Sequence, residues 1–266
     1  MKQREFIFQV YQNRMMKNFY TIPCKPGTVY IPITTECTNY CRFCISRVDG
    51  KFFGYDINNM KFNSPNEVAE TISNFLIYPR EIAFCGYGEP MLNSAMVNAG
   101  IDAIKQRWHD KVLIRIDTNG LSDIDYNTIG KINKLFISLN AENKDKFNYI
   151  CRPKISSAYY RLINFMTKIA EFRDAKHQSL YVRCTAVEIT EESRICLPKD
   201  ERNFDIQYAP DMKKCETIAN AFGFEFIAKR LFCDSYDDKW DPADFEDKIF
   251  RGESLAECKE CNFRHV

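Results

Sequence analysis

The sequence has few histidines. Only three occur among 266 residues, at His109, His177 and His265. It also lacks an excess of charge of either sign, since the formal net charge is +1. That balance disfavours bulk binding to nucleic acid or to an anionic membrane surface. No window approaches the ~20 consecutive apolar residues that a membrane-spanning helix needs. There is no internal repeat and no low-complexity segment. With 45% hydrophobic and 27% charged residues, the composition is that of an ordinary folded protein.

Cysteine is abundant, with 12 in the chain. The chain is too long for the usual small disulfide framework of secreted proteins. Its first 20 residues are interrupted by charged and amide side chains, so they lack the apolar core of a signal peptide. We therefore expect a cytoplasmic protein whose cysteines are reduced thiols, some of them holding metal.

Strand-like apolar segments alternate with amphipathic helical ones along residues 29–231. This order predicts an α/β fold with a parallel sheet covered by helices. Six such units are too few for an eight-stranded barrel, and an open partial barrel and a doubly wound sheet both fit the periodicity. We expect an N-terminal arm (1–28) before this region and a small cysteine-rich extension (232–266) after it.

Unusual polar residues follow four of the predicted strands. A cysteine-rich loop follows the first strand, "GYGEP" (86–90) the second, "DTNG" (117–120) the third, and Asn140 ends the fourth. The carboxyl ends of parallel strands open onto one rim, where α/β folds place their ligand sites. The layout therefore predicts a single active site.

The cysteine loop, "CTNYCRFC", places three thiols at Cys37, Cys41 and Cys44. A structural zinc ion needs four ligands, and the only nearby candidate for a fourth is Cys24. A [4Fe–4S] cubane normally takes one cysteine per iron, so three cysteines leave one iron open. An amine and a carboxylate of a small molecule, such as the methionine end of S-adenosylmethionine (AdoMet), can chelate that iron.

The Cys-x₃-Cys-x₂-Cys spacing, with an aromatic residue before the third cysteine and "GYGEP" one strand later, resembles the signature of the radical S-adenosylmethionine (radical SAM) superfamily. The phrases "CGYGEP", "TNG", "SLNA" and "CRP" are most similar to the TatD-associated radical SAM proteins. The resemblance implies a partial (β/α)6 TIM-like barrel. It also implies reductive cleavage of AdoMet at a [4Fe–4S] cluster to a 5′-deoxyadenosyl radical, with a flavodoxin or ferredoxin as electron donor. The radical would abstract hydrogen from a substrate that the sequence does not name, for which we favour a small molecule or a peptide.

The resemblance and the strand-end positions together assign cofactor contacts. These are the methionine amino group for the "GYGEP" segment, the adenine for the aromatic residue of the cysteine loop, the ribose for the third strand end, a cofactor contact of unspecified kind for the fourth strand end, and the methionine carboxylate for the arginine of "CRP". The structural alternatives are a tight turn for "GYGEP" and for the third strand end, a core position for the aromatic residue, a helix cap for the fourth strand end, and a surface ion pair for the arginine. The residues concerned are Phe43, Gly86, Gly88, Glu89, Asp117, Asn119, Ser138, Asn140 and Arg152.

The extension carries a second candidate metal site, formed by Cys233, Cys258, Cys261 and His265. Cys258 and Cys261 have the spacing of a metal-binding knuckle. Zinc held by three cysteines and the histidine, an auxiliary iron–sulfur cluster, and free thiols without metal are the three alternatives.

Three other functions are compatible with the same motifs. One is a non-catalytic iron–sulfur or zinc binding module. Another is an activase for a glycyl-radical enzyme. The third is a radical SAM fold that transfers an alkyl group without forming a radical. Cleavage of AdoMet to 5′-deoxyadenosine distinguishes the first and third from the radical chemistry.

Overall fold

The fold is described from a computed structural model, which covers residues 18–20, 22, 27–47, 56–75 and 78–231. The predicted second metal site in the extension, and all but a few residues of the predicted N-terminal arm, lie outside the described residues. Cys24, the candidate fourth ligand, also lies outside them. The predicted domain boundaries therefore remain predictions.

Six strands form one sheet in which neighbours along the chain are neighbours in space, and every pair is parallel. The outer two strands are not paired with each other in the described part of the chain, so the sheet is not closed. This is the predicted α/β partial TIM-like barrel. The strands are β1 (Thr28–Pro32), β2 (Glu81–Cys85), β3 (Leu113–Thr118), β4 (Lys134–Ser138), β5 (Tyr181–Glu188) and β6 (Glu225–Arg230).

Six α-helices occur in the described residues, and most of them connect successive strands. In the first of them, the Ser64 hydroxyl accepts a hydrogen bond from the Glu67 amide at 3.3 Å, and proline follows the cap. The helices are α1 (Pro65–Ser73), α2 (Ser94–Trp108), α3 (Tyr126–Ile129), α4 (Lys144–Cys151), α5 (Ala158–Lys176) and α6 (Met212–Ala221). Within the ranges described, no helix has both the length and the apolar character required to cross a lipid bilayer.

Helix α4 was not predicted, and it affects the site. Its sequence, "KDKFNYIC", has only eight residues and is polar on average, although Phe147, Ile150 and Cys151 form a buried stripe at helical spacing. A cap does mark it, because the Asn143 side chain accepts a hydrogen bond from the Lys146 amide at 3.0 Å. The long connection between β5 and α6 (190–210), referred to below as the inserted loop, contains three short 3₁₀ turns.

The strands bury both of their faces, because side chains alternate between them along each strand. Val29 and Ile31 face the helices and join the main hydrophobic core. Tyr30 and Ala83 face the opposite way, into the barrel, where they form a second and smaller apolar cluster. The site therefore lies above a packed interior rather than above an open pore.

Close contact between β2 and its helices requires a glycine in α2. A Cβ on Gly100 would lie 2.7 Å from two ring atoms of Phe84 and 3.1 Å from Val68. Since Phe84 is fully buried, its ring has little room to move.

We expect Gly100→Ala to lower the free energy of unfolding by about 1–3 kcal/mol, the usual cost of overpacking a core. Gln106→Ala, on the exposed face of the same helix, should stay within about 0.5 kcal/mol of the wild type. Urea denaturation of the full-length proteins measures both. An unchanged midpoint for Gly100→Ala would show that the helix and strand separate easily.

Candidate functional site

The cysteine loop leaves β1 directly and packs on the end of α4. The Tyr40 amide donates to the Cys151 carbonyl and the Arg42 amide to the Ile150 carbonyl, both at 2.9 Å. The Lys154 amide donates to the Thr38 carbonyl at 2.8 Å. The helix that sequence patterns did not reveal is therefore the platform that shapes this loop. A short 3₁₀ turn (Ile45–Arg47) completes it.

The three predicted cysteine ligands are free thiols, each half-buried. Two N–H groups point at the Cys37 sulfur, the Asn39 amide at 3.4 Å and the Asn119 side chain at 3.6 Å. Cys44 lies 3.0 Å from the Ser46 hydroxyl. Hydrogen bonds to sulfur stabilise a thiolate and tune the potential of a cluster bound to it.

The thiol pKa values are raised in the protein without metal. Burial raises the pKa of Cys37 to about 11 and also raises the pKa of Cys44. A hydrogen bond with Cys151, followed by burial, raises the pKa of Cys41. Because a metal binds the thiolate, loading this loop must release protons.

The chemistry of the donor set fits a cubane. A structural zinc ion takes four protein ligands, whereas this loop offers three thiols. No group of three metal-ligating side chains gathered for one ion exists in the part of the chain that the structure describes. A [4Fe–4S] cubane takes one thiolate per iron, so three cysteines fit it and leave one iron without a protein ligand.

The glycines of "GYGEP" are required by the packing of the chain itself. Gly86 has a φ of +143°, and a Cβ there would lie 2.8 Å from the Pro32 side chain. A Cβ on Gly88 would lie 2.1 Å from the Thr34 carbonyl oxygen. Both glycines therefore let the segment approach the start of the cysteine loop, and the predicted contact with a cofactor is not needed to explain them.

Glu89 joins the second and third strand ends. Its side chain is only 2% exposed, and its carboxylate accepts hydrogen bonds from the Thr118 hydroxyl (2.8 Å), the Asn119 amide (2.6 Å) and the Met91 amide (3.0 Å). The Glu89 amide donates to the Glu36 carbonyl at 2.8 Å. A carboxylate offers about four acceptor positions, so one is left for the ammonium group predicted to bind here.

Burial raises the pKa of Glu89 to about 7 despite these donors. The folded protein thus holds this proton more tightly than the unfolded chain does. The stability gained from this raised pKa is fully present below pH 4.5, the ordinary pKa of a glutamate, and is lost as the pH rises through 7.

Asp117 and Asn119, which were both predicted to bind ribose at the end of β3, have different surroundings. The Asn119 side chain donates to the Thr38 hydroxyl at 2.9 Å and so reaches the cysteine loop. Asp117 forms an ion pair with Arg115 at 2.9 Å and lies on the barrel interior. Only Asn119 is therefore in contact with the cysteine loop.

The residues at the end of β4 are linked to the cysteine loop through Cys151. Asn140 has a φ of +58°, and its side-chain amide donates to the sulfur of Cys151 at 3.7 Å. Cys151 is in turn the hydrogen-bond partner of Cys41. Ser138 is half-buried and pairs in register with Thr185. Phe43, predicted to contact adenine, is half-buried and packs against the main core.

Sequence reasoning missed Glu201, which lies in the inserted loop and is 1% exposed. Its carboxylate forms ion pairs with three arginines: Arg42, Arg47 at 2.7 Å, and Arg152, whose second contact is 3.1 Å. Arg152, which was predicted to bind a carboxylate of the cofactor, therefore already binds the carboxylate of Glu201. Nothing in the charged run around Glu201 distinguishes it from a solvated loop.

Two of these arginines also stack on tyrosines. Arg42 lies 4.1 Å from the ring centre of Tyr149, which is itself stacked on Tyr208. Arg47 lies 4.3 Å from the ring centre of Tyr40. Because both arginines belong to the cysteine loop, the insert and the loop are held as one unit.

Removing the Glu201 charge should release the cysteine loop. We expect Glu201→Gln to cost about 3 kcal/mol, because three arginines lose a buried partner. Hydrogen exchange of amides 37–47 should quicken with it. Asp200→Asn is the matched control: that carboxylate is 69% exposed and pairs only with Arg47, so its loss should cost less than about 1 kcal/mol. Equal effects of the two variants would contradict the role given to Glu201.

For Glu89, the stability difference between wild type and Glu89→Gln should change with pH. Between pH 4.5 and 7.5 the wild type should lose about 3 kcal/mol relative to the variant, the energy of a pKa shift of this size. Denaturation of the metal-free protein across that range measures it. Gln106→Ala, which removes no titrating group, should parallel the wild type. Parallel curves for Glu89→Gln would show that Glu89 titrates normally.

No protein-family model matches the chain, and no curated protein does. A solved structure described as native anSMEcpe with bound AdoMet is similar to it, with 16% identity and a TM-score of 0.44. The match covers 77% of this chain and 51% of that one, so the chain spans about half the length of that protein.

Proposed function

We propose that this protein is a radical SAM enzyme that holds a [4Fe–4S] cluster on Cys37, Cys41 and Cys44. The observation that carries the proposal is the position of Asn119. This residue, at the end of β3, contacts the sulfur of Cys37 through its side chain and the carboxylate of Glu89 through its amide. These contacts bring the cysteine loop, "GYGEP" and the third strand end together, which supports the proposal that they share one site.

The proposed roles of the chain's own residues follow from these contacts. The three thiolates would hold the cluster, and the N–H groups of Asn39 and Asn119 would stabilise the Cys37 thiolate. When bound, the cluster would supply an electron that cleaves the sulfonium carbon–sulfur bond of AdoMet, giving methionine and a 5′-deoxyadenosyl radical. The free acceptor position of Glu89 would orient the methionine ammonium group.

The remaining cofactor contacts are proposed from the family resemblance and from positions at the strand ends. Asn119, Ser138 and Asn140 would bind the ribose and neighbouring groups, and Phe43 would contact adenine. Asp117 pairs with Arg115, and Arg152 pairs with Glu201. Each of the two could bind the cofactor only in addition to its partner within the chain or in place of it. We further propose a cytoplasmic enzyme reduced by a flavodoxin or ferredoxin and acting on a small molecule or a peptide.

A non-catalytic iron–sulfur protein is the second candidate, and one observation favours it. The space beside Gly86 and Gly88 is filled by Pro32 and by the Thr34 carbonyl, so the glycine motif is explained without AdoMet. The two candidates differ in whether AdoMet is bound and cleaved.

The test is product analysis after anaerobic reconstitution with iron and sulfide. With dithionite and AdoMet, the wild type should release 5′-deoxyadenosine, detected by mass spectrometry, and Cys41→Ala should release none. Cys184→Ala is the matched control, since this cysteine is buried in β5 and belongs to the core. It should retain the activity. A wild type with a full, reducible cluster and no product would favour the non-catalytic protein, and an alkylated product would indicate non-radical transfer.

A further inference from the structure

A fourth free thiol is only partly buried in the described part of the chain. Cys85 is half-buried, as are the three cysteines of the triad, whereas the other free thiols described, Cys151, Cys184 and Cys215, are buried. Cys85 is the last residue of β2 and directly precedes "GYGEP". A reactive group that holds no part of the proposed cluster is therefore accessible at the same end of the sheet.

The Cys85 side chain faces the interior of the barrel. Ala83, two positions earlier on β2, belongs to the interior apolar cluster, and side chains two positions apart share a face. Cys85 packs against that cluster, and so does Ile45, which directly follows Cys44. The register of β2 and β3 places Asp117 beside Cys85. The thiol therefore lies next to the end of β3 and packs against the same cluster as the cysteine loop.

A tyrosine hydroxyl is the polar partner of this thiol. The Tyr20 hydroxyl lies 3.6 Å from the Cys85 sulfur, a hydrogen-bond distance for sulfur. The backbone of Tyr20 is fixed to the edge of β1 by two hydrogen bonds with Tyr30, at 3.0 Å and 2.8 Å, and the two rings stack with their centres 5.0 Å apart. Tyr20 is only 4% exposed. The thiol and the hydroxyl are thus held together in a fixed position with little water around them.

Both groups keep their hydrogen at neutral pH. Burial, and after it the charge of Asp117, raises the pKa of the Cys85 thiol to about 12. Burial also raises the pKa of the Tyr20 hydroxyl. A thiolate is a nucleophile and a metal ligand, whereas a protonated thiol has a hydrogen atom to give. An S–H bond is weaker than most C–H bonds, so its hydrogen passes readily to a carbon radical.

We propose that Cys85 donates a hydrogen atom to the substrate-derived radical and that Tyr20 restores the thiol. This inference rests on the proposed radical SAM function and specifies how its reaction ends. The S–H bond of Cys85 breaks, a C–H bond forms on the product, and a thiyl radical remains. The O–H bond of Tyr20 then breaks, the S–H bond forms again, and a tyrosyl radical remains. One electron from the flavodoxin or ferredoxin and one proton from water regenerate the Tyr20 hydroxyl.

This step narrows the class of reaction. An enzyme that returns a hydrogen atom leaves its substrate rearranged or cleaved rather than dehydrogenated. Each turnover takes one electron to cleave AdoMet and another to restore Tyr20. The substrate must also bring its radical carbon to Cys85, so it binds in the barrel interior beside the end of β3.

The first experiment uses the reconstituted full-length protein in deuterium oxide, with AdoMet and dithionite and without a substrate. The 5′-deoxyadenosyl radical then stands in for the substrate radical, and the Cys85 thiol carries deuterium exchanged from the solvent. Transfer from Cys85 gives 5′-deoxyadenosine that is one mass unit heavier, which mass spectrometry detects. Water itself does not supply the deuterium, because its O–H bond is stronger than the C–H bond that would form. The readout is the deuterated fraction of the product, whatever its amount.

We expect the wild type to give mostly deuterated 5′-deoxyadenosine and Cys85→Ser to lose this label. Serine has nearly the shape of cysteine and keeps a polar group near Tyr20, but its O–H bond is too strong to give a hydrogen atom to carbon. Cys184→Ala is the matched control, because that thiol is buried in the main core. It should give the same deuterated fraction as the wild type.

The second experiment tests Tyr20 by electron paramagnetic resonance in a single turnover. Protein with ring-deuterated tyrosine is reduced, freed of dithionite and mixed with AdoMet, so that no electron remains to regenerate Tyr20. We expect a tyrosyl signal, narrowed by the ring deuterium, in the wild type and none in Tyr20→Phe. Tyr160→Phe, on α5 and 61% exposed before substitution, is the control and should keep the signal.

Three outcomes would count against these assignments, and they are distinguishable. Wild-type 5′-deoxyadenosine without solvent deuterium, or an equal label in Cys85→Ser, would overturn the role of Cys85 and leave the proposed function intact. Loss of the label in Cys85→Ser without a signal that depends on Tyr20 would refute the tyrosine step. A wild type with a full, reducible cluster and no 5′-deoxyadenosine would refute the proposed function, and this inference with it.

Discussion

The site depends on one buried carboxylate. Glu89 is almost fully enclosed, and a buried carboxylate is stable only when donors surround it. Two of its donors come from the end of the neighbouring strand and one from its own turn. The backbone of the same residue binds the start of the cysteine loop. Satisfying this group therefore joins the first three strand ends, and the arrangement of the cysteines follows from it.

A second carboxylate holds the opposite side of the loop. Glu201 comes from the insert between β5 and α6, and it gathers arginines from the cysteine loop and from the end of α4. The loop is thus fixed from β2 and β3 on one side and from the insert on the other. The three half-buried thiols are thus held in one ordered loop, which would reduce the ordering that metal binding at the proposed site must supply.

The two faces of the sheet differ in the side chains that they carry. The outer face carries aliphatic and aromatic residues that pack against the helices and supply most of the stability. The inner face carries the ion pairs of Arg115 and Arg183 around Phe136. Charges are tolerated there because Arg115, Arg183 and Lys134 each have a carboxylate partner.

The sequence by itself determined the fold class, the cysteine triad and the shared rim of the strand ends. These depend on local patterns: the alternation of strand-like and helical segments, the polar residues at strand ends, and the spacing of cysteines in one loop. Only the tertiary structure decided what holds them. It revealed α4 under the loop, the intrachain reason for Gly86 and Gly88, and the pairing of Arg42 with Glu201, which lie 159 positions apart. Such contacts depend on how a distant loop folds back across the barrel, and a short stretch of sequence carries no record of its eventual neighbours.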